Sequence, residues 1–230
     1  MAAGIGSRMQ PLTDHFAKPV LPVGGRPVLA LLLRELAAAG IRAVHLVTGH
    51  HASQVEALAG DGGDFGLDVR AVRQPEPLGS ADAVRRALDA GAGLPALVTA
   101  ADNVYAPGDV ERFVAGWAAT GADGAVAWRP DGGDALGKRR LRVRDGVVTH
   151  VPDPDGASPY VAAPLWVLGP AAAARLCEDR PPWELGNAFQ SAIDAGGRIA
   201  AVEVARSRDL TNPLDLLREN FPYLEGLEPG

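Results

Sequence analysis

The chain has 230 residues, 47% of them hydrophobic and 22% charged, which is enough apolar mass to bury a sizeable core. A formal charge of −6 speaks against a general nucleic-acid binder, whereas a small phosphorylated ligand needs only a few local cations. The one cysteine, Cys177, excludes an intramolecular disulfide framework and a cysteine-rich zinc site. No apolar run approaches about 20 residues and the N-terminus carries no signal-peptide pattern, so a soluble, cytoplasmic protein that neither spans nor binds a membrane is expected.

Residues 4–27 form a polar segment rich in Gly and Pro. Leu and Ala at helical spacing predict a helix over 28–39, stopped by Gly40. A strand over 43–48, a helix over 52–59, a strand over 67–73, a helix over 80–90 and a strand over 96–100 follow, the last ending at Asp102. Strands alternating with helices predict an α/β fold with a mixed, mainly parallel central sheet flanked by helices. Beyond Gly121 the pattern shifts to strands at 123–128, 140–144, 147–151 and 160–168, with Asp145-Gly146 as a hairpin turn. Helices at 171–177 and 185–195, a strand at 198–204 and a closing helix from Asn212 or Pro213 complete the chain. No repeat or low-complexity linker divides it, so a single domain over 1–230 is expected, its second half extending the first sheet. A phosphate loop in an α/β sheet hangs from the end of a strand, yet only three residues precede Gly4. Either the first strand is very short or the true start lies upstream of Met1.

Gly4-Ile5-Gly6-Ser7-Arg8 is a glycine-rich loop, able to turn backbone N–H groups toward an anion. It is neither a dinucleotide fingerprint, since Met9 stands where the third glycine would fall, nor a P-loop, since the Gly-Lys-Ser/Thr ending is absent. Two cations, Arg8 and Lys18, flank a proline-stiffened stretch and can converge on one polyphosphate. Lys18 and Lys138 are the only lysines in a chain that otherwise uses arginine. A lysine is a compact point charge and an arginine a planar fork, so these two positions are candidates for a specific task.

The stretch Ala2-Ala3-Gly4-x-Gly6-Ser7-Arg8-Met9-x-Pro11-Leu12-Thr13…Ala17-Lys18-Pro19-x-Leu21-Pro22-Val23-x-Gly25-x-Pro27 resembles the signature of the sugar-phosphate nucleotidylyltransferases, the NDP-sugar pyrophosphorylases. Gln74-Pro75-Glu76-Pro77-Leu78-Gly79-Ser80-Ala81 looks like that family's base-reading segment, Ala101-Asp102-Asn103 like its metal-binding strand end, and Asp209-Leu210-Thr211-Asn212-Pro213 like its late metal motif. The resemblance implies a GT-A-like fold, with residues 1–120 as the nucleotide-binding half and 121–230 as the acceptor-binding half. It implies a Mg²⁺-dependent transferase (EC 2.7.7 type) that joins a nucleoside triphosphate to a sugar 1-phosphate, releasing pyrophosphate in nucleotide-sugar biosynthesis. Asp102 and Asp209 would hold the metal. Arg8 would steady the leaving pyrophosphate, and Lys18 would bridge the α-phosphate and the attacking phosphate. Gly4, Gly6 and Ser7 would supply backbone donors. Gln74 and Gly79, with Ser80, would contact the base, and an amide that both donates and accepts favours UTP or dTTP.

The acceptor side departs from the family. Pro152-Asp153-Pro154 stands where many members carry Glu-Lys-Pro, and an anion cannot grip a phosphate. Gly137 and Lys138 are the remaining acceptor-side candidates, Gly137 matching a glycine of the family's sugar pocket. Residues 160–166 also differ from the usual pocket segment. Two alternatives therefore stay open, a cytidylyltransferase for a phospho-alcohol or phosphonate and a catalytically silent nucleotide-binding paralogue. A homo-oligomer is compatible with either. His50 and His51 read as loop residues, and Arg139 to Arg144 as a solvated strand face.

Overall fold

A computed structural model describes residues 1–131, 138–178 and 180–221. After three short 3-10 turns, a small hairpin of β1 (Pro22–Val23) and β2 (Arg26–Pro27) closes the opening segment. Helix α1 (Val28–Ala38) buries Leu29, Leu32, Leu33 and Leu36, one stripe at helical spacing. Burial of each such leucine is worth about 1.5–3 kcal/mol. Strand β3 (Ala43–Thr48), helix α2 (Ala52–Ala59) and strand β4 (Asp68–Arg73) come next, and β3 and β4 pair in parallel. Helix α3 (Ser80–Asp89), strand β5 (Ala96–Thr99), strand β6 (Asn103–Tyr105) and helix α4 (Asp109–Ala118) follow.

The second half supplies β7 (Gly124–Pro130), β8 (Arg140–Arg144), β9 (Val147–His150) and the long β10 (Tyr160–Leu168), then the one-turn α5 (Pro170–Ala173) and α6 (Leu185–Asp194). Strands β11 (Ile199–Glu203) and β12 (Ser207–Asp209) precede the closing helix α7 (Pro213–Asn220). Six strands join in the order β5-β10-β7-β11-β9-β8, and a β8–β10 pairing curls the sheet back on itself.

The expectation of a mainly parallel sheet is corrected. Within this six-stranded sheet only β7–β11 is parallel, and β5–β10, β10–β7, β11–β9 and β9–β8 are antiparallel. The reason lies in β10: it inserts between β5 and β7 and runs against both, so these two strands of like direction are not neighbours. Helix α4 and the three-residue strands β6 and β12 are additions to the sequence reading. The helix expected over 171–177 is one turn long, and Cys177 takes a left-handed backbone (φ 59°).

Two apolar clusters form the core. One packs α1 and α4 against the sheet through Leu33, Phe113, Leu165 and Val167; the other packs α3 and α6 through Val84, Phe189, Val126 and Ile199. A third, smaller cluster joins Met9, Leu21, Val28 and Leu210, which ties the glycine-rich loop to the residue after Asp209.

Candidate functional site

Met1 and Ala2 lie between β3 and β5 as the stub of a strand. The Ala2 N–H donates to the Val47 carbonyl (2.7 Å), and the Met1 amine donates to Thr99 (2.8 Å). Burial pushes that amine down to about 6, with the negative charge of Asp102 opposing the shift. The chain then enters the glycine-rich loop. Gly6 sits at φ 71°, and a Cβ there would meet the Thr13 methyl at 2.9 Å. Thr13 in turn donates to the Gly6 carbonyl (2.9 Å). Gln54 of α2 clamps the far end of the loop, accepting from the Ala17 N–H and donating to the His15 carbonyl, both at 2.7 Å. His50 and His51 place ring nitrogens 3.2 and 3.3 Å from the Thr13 carbonyl, so they brace the loop from behind.

The loop forms one wall of a cavity of about 310 Å³. Gly4, Gly6 and Lys18 line it, as do Gln74, Gly79 and Ser80 across the cleft and Asp102 at its end. Seven residues singled out from three separate segments of sequence thus share one cavity. Lys18 is ion-paired with Asp102. Arg8 and Ser7 are exposed on the short turn Ser7–Met9 outside the cavity wall.

The segment that resembles the family's base-reading motif is held by a buried charge. Asp82, fully buried on α3, accepts from Gln74 Nε2 (2.9 Å), Arg86 Nε (2.7 Å) and Arg85 (2.9 Å). Burial alone would raise its carboxyl, but the hydrogen bonds from Arg86, Gln74 and Arg85 outweigh it and hold the group below the ordinary carboxylate range. Gln74 Nε2 also donates to the Gly79 carbonyl (3.0 Å), so both amide hydrogens are committed and Oε1 remains as the acceptor. The sequence expectation that this amide both donates and accepts toward a base is corrected accordingly. Gly79 takes φ 108° and its Cα faces the Trp183 backbone, where a Cβ would come within 2.2 Å of the carbonyl oxygen. Ser80 donates to Glu184 (2.7 Å) and accepts the Leu185 N–H (2.8 Å), joining α3 to the start of α6. Glu184 lines the cavity and was missed by the sequence reading, because only the fold brings it to Ser80.

Asp102 and Asp209 meet through the antiparallel pair β6–β12, where Asn103 is opposite Asp209 and the Leu210 N–H donates to the Asp102 carbonyl (3.1 Å). Asp109 anchors this arrangement, accepting the N–H groups of Ala205 and Arg206 at 2.9 Å each. The capping box of α7 fixes Thr211, whose N–H donates to Asp215 (2.8 Å) and whose hydroxyl donates to Asp209. Asp209 is also paired with Lys138. Burial would raise the Asp209 carboxyl, and the hydrogen bonds from Lys138 and Thr211 reverse that and lower it. Both lysines of the chain therefore end on the two candidate metal-binding carboxylates. Among the described residues no three His, Cys, Asp or Glu side chains converge to hold a metal by themselves. Hard carboxylates such as Asp102 and Asp209 suit Mg²⁺, which takes one or two of them and completes its shell with phosphate and water oxygens.

Gly137 lies outside the described residues. Asp153 is buried and structural: it accepts from Arg142 (2.9 Å) and from the Ala157 and Ser158 N–H groups (3.1 Å each), holding the turn after β9. No described helix is long and apolar enough to cross a membrane.

The family described as nucleotidyl transferase matches residues 1–132. A glucose-1-phosphate thymidylyltransferase of Streptomyces antibioticus is 30% identical over the whole chain, which spans 66% of that relative's length. The CMP-5'-(3-aminopropyl)phosphonate synthase of Streptomyces rubellomurinus is 34% identical over 66% of the chain and 24% of its own length. In solved structures, a Bacillus anthracis protein assigned as a glucose-1-phosphate thymidylyltransferase superposes with a TM-score of 0.85 at 20% identity, covering 100% of this chain and 95% of that one. A loop, cavity and carboxylate pair of this kind, on a fold of this kind and with this sequence match, establish that the chain belongs to the nucleotidyl transferase family.

Proposed function

We propose that the chain is a nucleotidylyltransferase, condensing a nucleoside triphosphate with a sugar 1-phosphate to give an NDP-sugar and pyrophosphate. The observation that carries this reading is the convergence of Gly4, Gly6, Lys18, Gln74, Gly79 and Asp102 on one cavity beside the Asp102–Asp209 pair. An oxygen of the acceptor phosphate attacks the α-phosphorus, and the bond to the β-phosphate breaks with its electrons leaving on pyrophosphate. Two polyanions must be brought together, so the protein's task is charge neutralisation and in-line positioning.

The loop N–H groups hold the triphosphate, Lys18 meets the α-phosphate and Arg8 reaches in from the exposed turn to the leaving pyrophosphate. Asp102 and Asp209 would hold Mg²⁺, which when bound would neutralise phosphate charge. Lys18, ion-paired with Asp102, and Lys138, ion-paired with Asp209, would be the cations that meet the phosphates of nucleotide and acceptor. An acceptor atom at Gln74 suits the N3–H of uracil or thymine and opposes the unprotonated N3 of cytosine, which supports UTP or dTTP. A GT-A-like arrangement of the two halves and a cytoplasmic setting belong to the same reading.

Cytidylyl transfer to a phosphonate is the second reading, favoured by the structural use of Asp153 and by the likeness to the phosphonate synthase. Pyrophosphate release with Mg²⁺, across the common triphosphates against sugar 1-phosphates and phosphonates, separates them. Turnover with UTP or dTTP and a sugar 1-phosphate is expected. Turnover confined to CTP and a phosphonate selects the second reading, and binding without turnover for any pair would overturn both.

A further inference from the structure

Glu184 lines the cavity beside the glycine-rich loop, and its neighbour Trp183 is fastened to the opening of α3. The Trp183 N–H donates to the Leu78 carbonyl and the Trp183 carbonyl accepts from Ala81, both at 2.8 Å. A second cavity, of about 170 Å³, lies between α6 and the chain that follows α5. Arg175, Cys177, Arg180, Trp183, Asn187 and Ser191 line it, and Glu184 lines both cavities. The lining of the second cavity is rich in donors that its acceptors do not meet. The Trp183 indole N–H is buried without an acceptor among the described residues, and an indole nitrogen can only donate. Asn187 and Ser191 stand four residues apart on α6, on one face of the helix. Arg180 has no carboxylate partner among the described residues. The nearby acids are engaged elsewhere: Glu178 is ion-paired with Arg175 (3.1 Å), and Glu184 accepts from the Ser80 hydroxyl (2.7 Å).

We propose that this second cavity is an anion site, separate from the first, which takes a tetrahedral oxyanion of phosphate type, either free orthophosphate or the phosphate group of a small ester. A buried donor left unmet is costly, so the indole N–H calls for an acceptor in the cavity. The unpaired Arg180 guanidinium makes a negatively charged acceptor the favoured one. Geometry selects among anions. Donors come from the helix, from the preceding chain and from the indole, and so surround a group with oxygens in several directions, whereas a planar carboxylate is matched by a single fork.

The readout is the indole N–H resonance of Trp183 in nitrogen-labelled protein, identified among the four tryptophans by its loss in Trp183→Phe. Orthophosphate, added at constant ionic strength against a chloride control, is expected to move that resonance saturably. Arg180→Ala is expected to raise the half-saturating concentration roughly tenfold or more. The same titration with a triphosphate analogue filling the first cavity is expected to give the same shift. Suppression by the analogue would place the phosphate in the first cavity and overturn the proposal. A resonance that ignores phosphate, or that moves equally in Arg180→Ala, would overturn it too. Glycerol 3-phosphate in place of orthophosphate separates the two sources: a lower half-saturating concentration assigns the site to a phosphate ester, an equal or higher one to the free ion. A chain that does not take up the analogue counts against the proposed function, while the phosphate titration alone still decides this site.

Discussion

At Gln74 the amide has been turned by its neighbours. Asp82 and the Gly79 carbonyl take both hydrogens, and Arg85 and Arg86 hold Asp82 as an acceptor-only anion. Replacing it by asparagine supplies both a donor and an acceptor, so the Gln74 amide is free to present either end. Asp82→Asn is expected to lower the preference for UTP or dTTP over CTP by roughly tenfold, read as the ratio of kcat/KM values, in a chain whose circular dichroism stays native. A preference that survives intact would remove Gln74 from base selection. Lys18 and Lys138 differ in what they lose. Lys18→Ala is expected to reduce kcat by roughly two orders of magnitude or more with little change in melting. Lys138→Ala is expected mainly to raise KM for the acceptor, and an equal rise for the nucleotide would place Lys138 on the other substrate.

At the scale of elements, the site depends on where helices begin. Gly79 opens α3 against the Trp183 backbone, so Gly79→Ala must push α3 and the segment leading to α6 apart. A loss of about 2–4 kcal/mol in urea unfolding is expected, together with weakened nucleotide binding; wild-type stability would show that the two segments separate freely. The elements that shape this region were legible to different degrees. The stretch from α1 to β5 could be read almost to the residue, because its apolar positions are periodic and Gly40, Gly60 and Gly79 punctuate it. α4 escaped although Val110, Phe113, Val114 and Trp117 are spaced as a buried face, because Pro107 and Gly108 announce a loop and Gly116 interrupts the helix. β6 and β12 are three residues each, too short for any period, and they exist because they pair with one another. The loop stood out by its glycines, and Gln74 and the two aspartates through the resemblance of their segments to the family's motifs. Glu184 was not, since its partner Ser80 lies 104 residues away.

Across the whole molecule, the terminal amine at the centre of the fold makes stability depend on pH. Its value falls from 8.0 unfolded to about 6 folded, so between these the unfolded chain holds a proton that the folded chain lacks. Raising the pH through that window then favours the folded state. A chain whose first residue is Met1 should gain about 2 kcal/mol between pH 6 and 8 relative to its N-acetylated counterpart, measured by urea midpoints; parallel profiles would mean that the amine is hydrated. The β6–β12 ladder has a consequence for the order in which the molecule is made. Its Asn103 and Ser207 side chains bond across 104 residues of sequence, a separation of the kind that delays folding. The glycine-rich loop, by contrast, is braced by Thr13, His50 and Gln54, all within the first quarter of the chain. On the ribosome the emerging polypeptide therefore acquires the glycine-rich loop and its braces well before Asp209. On the proposed function, a nascent chain still lacking Asp209 would sequester a triphosphate without turning it over.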